Sequence, residues 1–266
     1  MLIPLIITRP ARGVRPRHYR PTFEKPIYST PVNSEPIITA SGLRGIVGQS
    51  LTADVAWRYA AAFANILPAG PVIVSRDGRA NGREFVAPIT AGLTHGRERT
   101  VLDAGVAATP TTGVLVRQLR CAGGIQISAS HNPAEYNGMK LFWSDGRVVP
   151  DAIGQRVLVN YHELAGQTPG STAPPVAEPI DDTISAHLAL VESIVDVARI
   201  RTRQFRILLD SNHGAGSVLG QALLDQFGCD VKLLGGTPGR VAGFVAAILL
   251  ASSGAWAMWA SAGLEA

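Results

Sequence analysis

Apolar positions along this chain fall into short blocks divided by turn residues, and the blocks alternate between two spacings. Val55, Tyr59, Ala62, Phe63 and Ile66 recur three and four residues apart, the period of a helix with one buried face. Thr52 is placed to cap that helix with Asp54 in its first turn, and Pro68 and Gly70 follow as terminators. Val72 to Ser75 is a continuous apolar run too short for a helix and reads as a buried strand. A helical stretch over about 83–92 contains Pro88, where a bend is expected. Residues 99–103 form the next strand, and Thr109 then caps a helix with Pro110 at its first position. A buried strand over Ile125 to Ser128, an extended run from Met139 to Trp143, a hairpin turn over Ser144 to Arg147 and a helix over 150–164 complete the series. Strands that alternate with helices imply an α/β fold, a three-layer α/β/α sandwich around a mainly parallel sheet.

This first domain occupies residues 35–165. Residues 166–180 are rich in turn formers and low in charge, a linker. The series then restarts with a long amphipathic helix over Asp181 to Val197 and a strand over Phe205 to Asp210. A loop over Ser211 to Gly216, a helix over Ser217 to Phe227 and a strand over Cys229 to Leu234 follow. One β-α-β unit over 181–240 opens a second domain of the same class but does not close it. Val241 to Leu264 has no charged residue and is long enough to span a bilayer, which leaves a membrane role open. Its richness in Ala, Gly and Ser argues against spanning. This atypical apolar tail, 241–266, is expected as a loosely packed or isolated helix outside the α/β core.

Charge alters the picture at the N-terminus only. The formal net charge is +4, and Arg9, Arg12, Arg15, Arg17, Arg20 and Lys25 face only Glu24 before residue 26. Residues 1–34 therefore read as a basic disordered extension, in which the alternation of Arg with Pro favours disorder over a nucleic-acid-binding arm. In Met1 to Ile7 the apolar run precedes the positive charge, the wrong order for a secretory signal. Cys121 and Cys229 lie far apart, outside any metal-ligand spacing, and read as reduced thiols of a cytoplasmic protein.

The chemistry concentrates in Gly123 to Lys140. A buried strand ends at Ser128, and Asn132-Pro133 and Asn137-Gly138 are chain-reversing pairs. Ser130 and His131 thus sit where a strand becomes a loop, the place where α/β folds present reactive groups. On an extended backbone the side chains of these neighbours diverge, which argues against a serine-hydrolase arrangement, as does the lack of an evident acid to orient the imidazole. Ser41-Gly-Leu-Arg-Gly-Ile-Val-Gly48 holds one arginine, Arg44, among glycines that let the backbone approach a ligand.

Ser130-His131-Asn132-Pro133 with Tyr136-Asn137-Gly138-x-Lys140 resembles the active-site serine loop of the α-D-phosphohexomutases, and the Arg44 loop resembles their first active-site loop. The resemblance runs over about 35–240. It implies that Ser130 is phosphorylated in the resting enzyme and exchanges its phosphoryl group with a hexose phosphate through a hexose 1,6-bisphosphate. By the same resemblance His131 and Lys140 assist as acid/base and electrostatic groups. Arg44, Asn132 and Lys140 bind substrate or phosphate, and Mg2+ is held by the Ser130 phosphate with three aspartates of an Asp-x-Asp-x-Asp loop. That aspartate loop does not occur in the 266 residues, nor do the family's later sugar-reading and phosphate-binding loops. Asp210-Ser-Asn-His-Gly-Ala-Gly216 matches the opening of the family's second domain and reads as structural. The expectation is a truncated chain that is inactive alone, with a non-catalytic phosphosugar- or partner-binding remnant as the alternative.

Overall fold

The computed structural model describes residues 35–169 and 176–238, and of 247–250 the backbone alone. The chain divides at Val32/Asn33, and every described residue belongs to the second unit. It opens with a hairpin, β1 (Ile37–Thr39) and β2 (Gly42–Ile46), followed by α1 (Ala53–Ala64) and β3 (Val72–Arg76). A 3-10 turn over Ala80–Phe85 leads into α2 (Val86–Leu93), then β4 (Val101–Val106), α3 (Thr109–Gln118), β5 (Gly123–Ile127), β6 (Tyr136–Trp143) and α4 (Asp151–Glu163). The described strand β7 (Glu178–Pro179) completes a sheet in the order β1-β2-β6-β5-β3-β4-β7.

Helices α1, α2 and α4 cover one face of this sheet, where Leu43, Val72, Val74, Ile125, Ile127, Met139 and Leu141 are buried. Helix α3 covers the other, against Ile73, Ala104 and Phe142. The three layers follow from the alternation of strands and helices. The sheet itself is mixed: β5, β3, β4 and β7 run parallel, and β1, β2 and β6 join antiparallel. Parallel pairing follows the helical crossovers, antiparallel pairing at β1–β2 and β5–β6 follows two short loops, and the antiparallel β2–β6 pair is made between distant parts of the chain. Strand β2 lies against β6 although about a hundred residues separate them, and this pairing assembles the candidate site.

Several local expectations need correction. Pro88 does not bend a helix, because α2 begins at Val86 and Pro88 falls in its first turn, where no intrahelical N–H is needed. Ala108, not Thr109, is the N-cap of α3, and its backbone alone makes the transition. The far end of the linker adds β7 to the sheet edge beside β4. The long helix expected over Asp181 to Val197 is two short ones, α5 (Ser185–Glu192) and α6 (Val197–Arg203). Asp196 breaks it by accepting from the Arg199 N–H at 2.9 Å, a cap that competes with helix continuation.

The second sheet holds β8 (Arg206–Asp210), parallel to β9 (Asp230–Leu234), with α7 (Gly216–Gln226) between them in the chain. Against the expectation of a loosely packed or isolated helix, β10 (Ala247–Leu250) pairs antiparallel with β8, from Ala247 opposite Asp210 to Leu250 opposite Ile207. The free edge of β8 offers a row of backbone donors and acceptors that an uncharged strand can complete. The rest of the tail and the basic extension lie outside the described residues. Among the described residues no helix is long and apolar enough to cross a membrane.

Candidate active site

Strand β5 ends at Ile127, and the chain then turns through residues 128–135 into β6. Ser128 closes the neck of this loop by donating its N–H to the Gly138 carbonyl at 2.9 Å, and its hydroxyl accepts the Ser130 N–H at 3.1 Å. Asn132 donates its N–H to the Ala129 carbonyl at 3.2 Å, and Tyr136 to that of Pro133 at 3.1 Å. At the tip, Ser130 has φ +60, the left-handed region that a residue with a Cβ seldom adopts. The extended backbone expected at Ser130 is therefore wrong, and the expected divergence fails with it. The turn brings Ser130 Oγ to 3.2 Å from His131 Nδ1, and both residues are exposed.

The cations come from the two strands beside the loop. Arg44 on β2 is in register with Gly138 on β6, and Lys140 is in register with Gln126 on β5. Arg44, Gly138, Lys140 and Gln126 consequently share one face. The Arg44 side chain crosses Gly138, its Cγ lying 3.2 Å from where a Cβ on that glycine would stand. Burial, and next the Arg44 guanidinium, hold the half-buried Lys140 ammonium below the usual lysine range. Neither the Arg44 guanidinium nor the Lys140 ammonium makes a hydrogen bond or ion pair to a described residue. Two adjacent cations without a counter-charge form an anion-receptive face next to the serine loop. Asn132 is half-buried in that loop, and its carbonyl is held by an arginine that the sequence reading passed over.

That arginine is Arg79. Its guanidinium reaches back across the loop to the carbonyls of Ser130, Asn132, Pro133 and Tyr136. The available signal was weak: an Asp and an Arg two residues apart at a strand end, in Arg76-Asp-Gly-Arg79. Asn81 adds a further tie, its Oδ1 accepting from Asn137 Nδ2 at 2.8 Å.

No carboxylate hydrogen-bonds His131 among the described residues, so the third member of a hydrolase triad is not assembled there. Nor does any group of three His, Cys, Asp or Glu side chains converge among them to hold a metal ion. The described residues thus do not fit a complete Mg2+ site.

A family model, phosphoglucomutase/phosphomannomutase, alpha/beta/alpha domain I, matches residues 36–166, the stretch that contains this loop and both cations. Residues 36–166 belong to the α-D-phosphohexomutase family. The chain matches the N-terminal region of its relatives. A phosphoglucosamine mutase from Synechococcus sp. (strain WH7803) is 34% identical over 200 residues, 73% of this chain and 42% of that protein. One from Rhodococcus erythropolis (strain PR4 / NBRC 100887) is 32% identical over 212 residues, 74% and 45% of the two chains. The chain thus spans less than half the length of the curated relatives it matches. Among solved structures, a putative phosphomannomutase from Thermus thermophilus shares the fold, with a TM-score of 0.63 at 23% identity over 76% of this chain and 46% of that one.

Proposed function

We propose that Ser130 carries a phosphoryl group between positions of a hexose phosphate, in an isomerase-type intramolecular phosphotransfer. The observation that supports it is the joint placement of a serine hydroxyl, an imidazole in hydrogen-bond reach and two cations, unpaired among the described residues, at one end of one sheet. His131 takes the Ser130 proton as Oγ attacks the phosphorus of a hexose 1,6-bisphosphate. The Oγ–P bond forms, a sugar O–P bond breaks, and the sugar oxygen recovers a proton. In the return step a sugar hydroxyl loses its proton as it attacks the phosphoserine, the Oγ–P bond breaks, and the serine oxygen recovers its proton from His131. Arg44 and Lys140 offset the charge of the transferring group, and Asn132 contributes a polar contact from the loop.

The relatives named phosphoglucosamine mutase point to a glucosamine phosphate as the substrate. Steady turnover by the 266 residues alone is proposed to be slow, because the sequence has no Asp-x-Asp-x-Asp run. The test is incubation with glucose 1,6-bisphosphate, with and without magnesium, followed by tandem mass spectrometry. One phosphate on Ser130, absent from Ser130→Ala, is expected. Phosphate on Ser128 contradicts the assignment. Saturable binding of the bisphosphate with no covalent phosphate supports a non-catalytic phosphosugar-binding role instead.

A further inference from the structure

We infer that Arg79 is the positioning residue that holds Ser130 against His131, an inference that rests on the reading of Ser130 as the phosphoryl carrier. A guanidinium has five N–H donors, and all five of Arg79's are placed. Nη2 donates to the Ser130 and Asn132 carbonyls at 3.3 and 2.7 Å, and Nη1 to those of Pro133 and Tyr136 at 2.7 and 2.9 Å. Nε donates to Asp77 Oδ2 at 3.2 Å. The side chain is 1% exposed, so these bonds form away from competing water. Four acceptors come from one seven-residue span, gathered by one rigid planar fork.

The fork is itself fixed to the sheet. Asp77 donates its N–H to the Ile127 carbonyl at 2.9 Å, and its Oδ1 accepts the Arg79 N–H at 3.0 Å. Arg79 therefore ties the loop tip to the ends of β3 and β5, two strands of the sheet that also carries Arg44 and Lys140. The left-handed backbone at Ser130 is unfavourable for a residue with a Cβ and persists only where its surroundings enforce it. The carbonyl that follows that φ is itself an Arg79 acceptor. Without the fork, four carbonyls lose their donor, the backbone relaxes toward an extended form, and the Ser130 and His131 side chains part. Since every donor is already used, Arg79 has none left for a phosphate and acts through Ser130. Lysine, with three donors and no planar fork, cannot reproduce the arrangement.

The experiment follows the Ser130 backbone and the His131 ring nitrogens by NMR at one fixed pH in the full chain, with Ser130→Ala, Arg79→Lys and the double variant beside the parent. Ser130→Ala is expected to shift the His131 Nδ1 resonance, because the hydrogen bond at 3.2 Å is lost. Arg79→Lys is expected to shift it to the same position, the double variant no further, and the Ser130 amide–Hα coupling is expected to rise from that of a left-handed residue toward that of an extended one. A parent-like Nδ1 resonance and coupling in Arg79→Lys, additive shifts in the double variant, or no shift in Ser130→Ala each overturn the inference. Should Arg79→Lys fail to fold, Asp77→Asn replaces it, because it removes the counter-charge and keeps the guanidinium. An Nδ1 resonance between those of the parent and Ser130→Ala then supports the inference, and a parent-like one overturns it. None of these readouts needs phosphoryl transfer. Phosphate on Ser130 with a parent-like Arg79→Lys refutes the positioning role alone, and the shifts without phosphate on Ser130 refute the carrier reading.

Discussion

At the residue scale the candidate site is governed by charge held short of a partner. Lys140 is half-buried, and its ammonium lies below the usual lysine range through burial first and the Arg44 guanidinium second. Arg44→Gln removes the second cause, so the Lys140 pKa is expected to rise and to remain below that of an exposed lysine. Millimolar inorganic phosphate is expected to raise it in the parent chain, by supplying the opposite charge. Lysine Nζ NMR titration measures both, and a Lys140 unmoved by either change means that its ammonium does not face Arg44 or an anion. The identities of these residues were legible in the sequence, since Ser130, His131, Lys140 and Arg44 lie in two compact motifs. The geometry of Ser130 was not. Its left-handed φ is held by a guanidinium 51 positions earlier in the chain, and no local pattern encodes that contact.

At the scale of elements, the helices that read clearly were those whose apolar period and cap agree. In α1 Thr52 accepts the Val55 N–H at 3.3 Å as its spacing predicts. Helix α5 was misread because an apolar period runs on through Asp196 in sequence, whereas in space α5 stops at Glu192 and that carboxylate caps α6. Helix-on-helix distance was equally hidden. Helix α2 lies so close to α1 that a Cβ on Gly92 would stand 2.3 Å from the Trp57 carbonyl oxygen and 2.9 Å from the Ala60 Cβ. Gly92→Ala would gain about 1 kcal/mol of helix propensity. Against that, overpacking of a rigid backbone costs about 1–3 kcal/mol, and a carbonyl cannot swing aside as a side-chain tip can. The clash is expected to win, with net destabilisation of about 1–2 kcal/mol from those opposed terms. A urea titration checks this, and an unchanged or higher midpoint means that α1 and α2 separate at little cost.

Across residues 33–266, the two sheets meet at contacts that no motif announces. A Cβ on Gly78 would stand 2.2 Å from the His213 carbonyl oxygen and 2.6 Å from the Gly214 Cα, so the turn that leads to Arg79 is seated directly on the loop after β8. In sequence that glycine reads as an ordinary turn residue. A second contact joins Thr111 of α3 to His187 of α5, Oγ1 to Nδ1 at 2.9 Å, and it carries a pH dependence. Partial burial holds the His187 imidazole below its ordinary value. The folded state thus binds this proton less readily than the unfolded chain, whose histidine titrates near 6.5. Stability from neutral His187 is present at pH 7. It declines as pH falls through about 6.5 and continues to decline until the folded-state pKa is passed. The Asp182 carboxyl at the start of α5 acts in a lower window. Hydrogen bonds, led by the Ser185 N–H, lower its pKa, so its contribution is lost only below the usual aspartate range. Between pH 7 and 5.5 the His187 effect is therefore expected to act without Asp182. Amide hydrogen exchange of α5, corrected for the intrinsic pH dependence of exchange, is expected to accelerate on acidification in the parent chain and to stay flatter in His187→Gln. Parallel pH profiles in the two proteins would show that the α3–α5 contact does not depend on the protonation of His187.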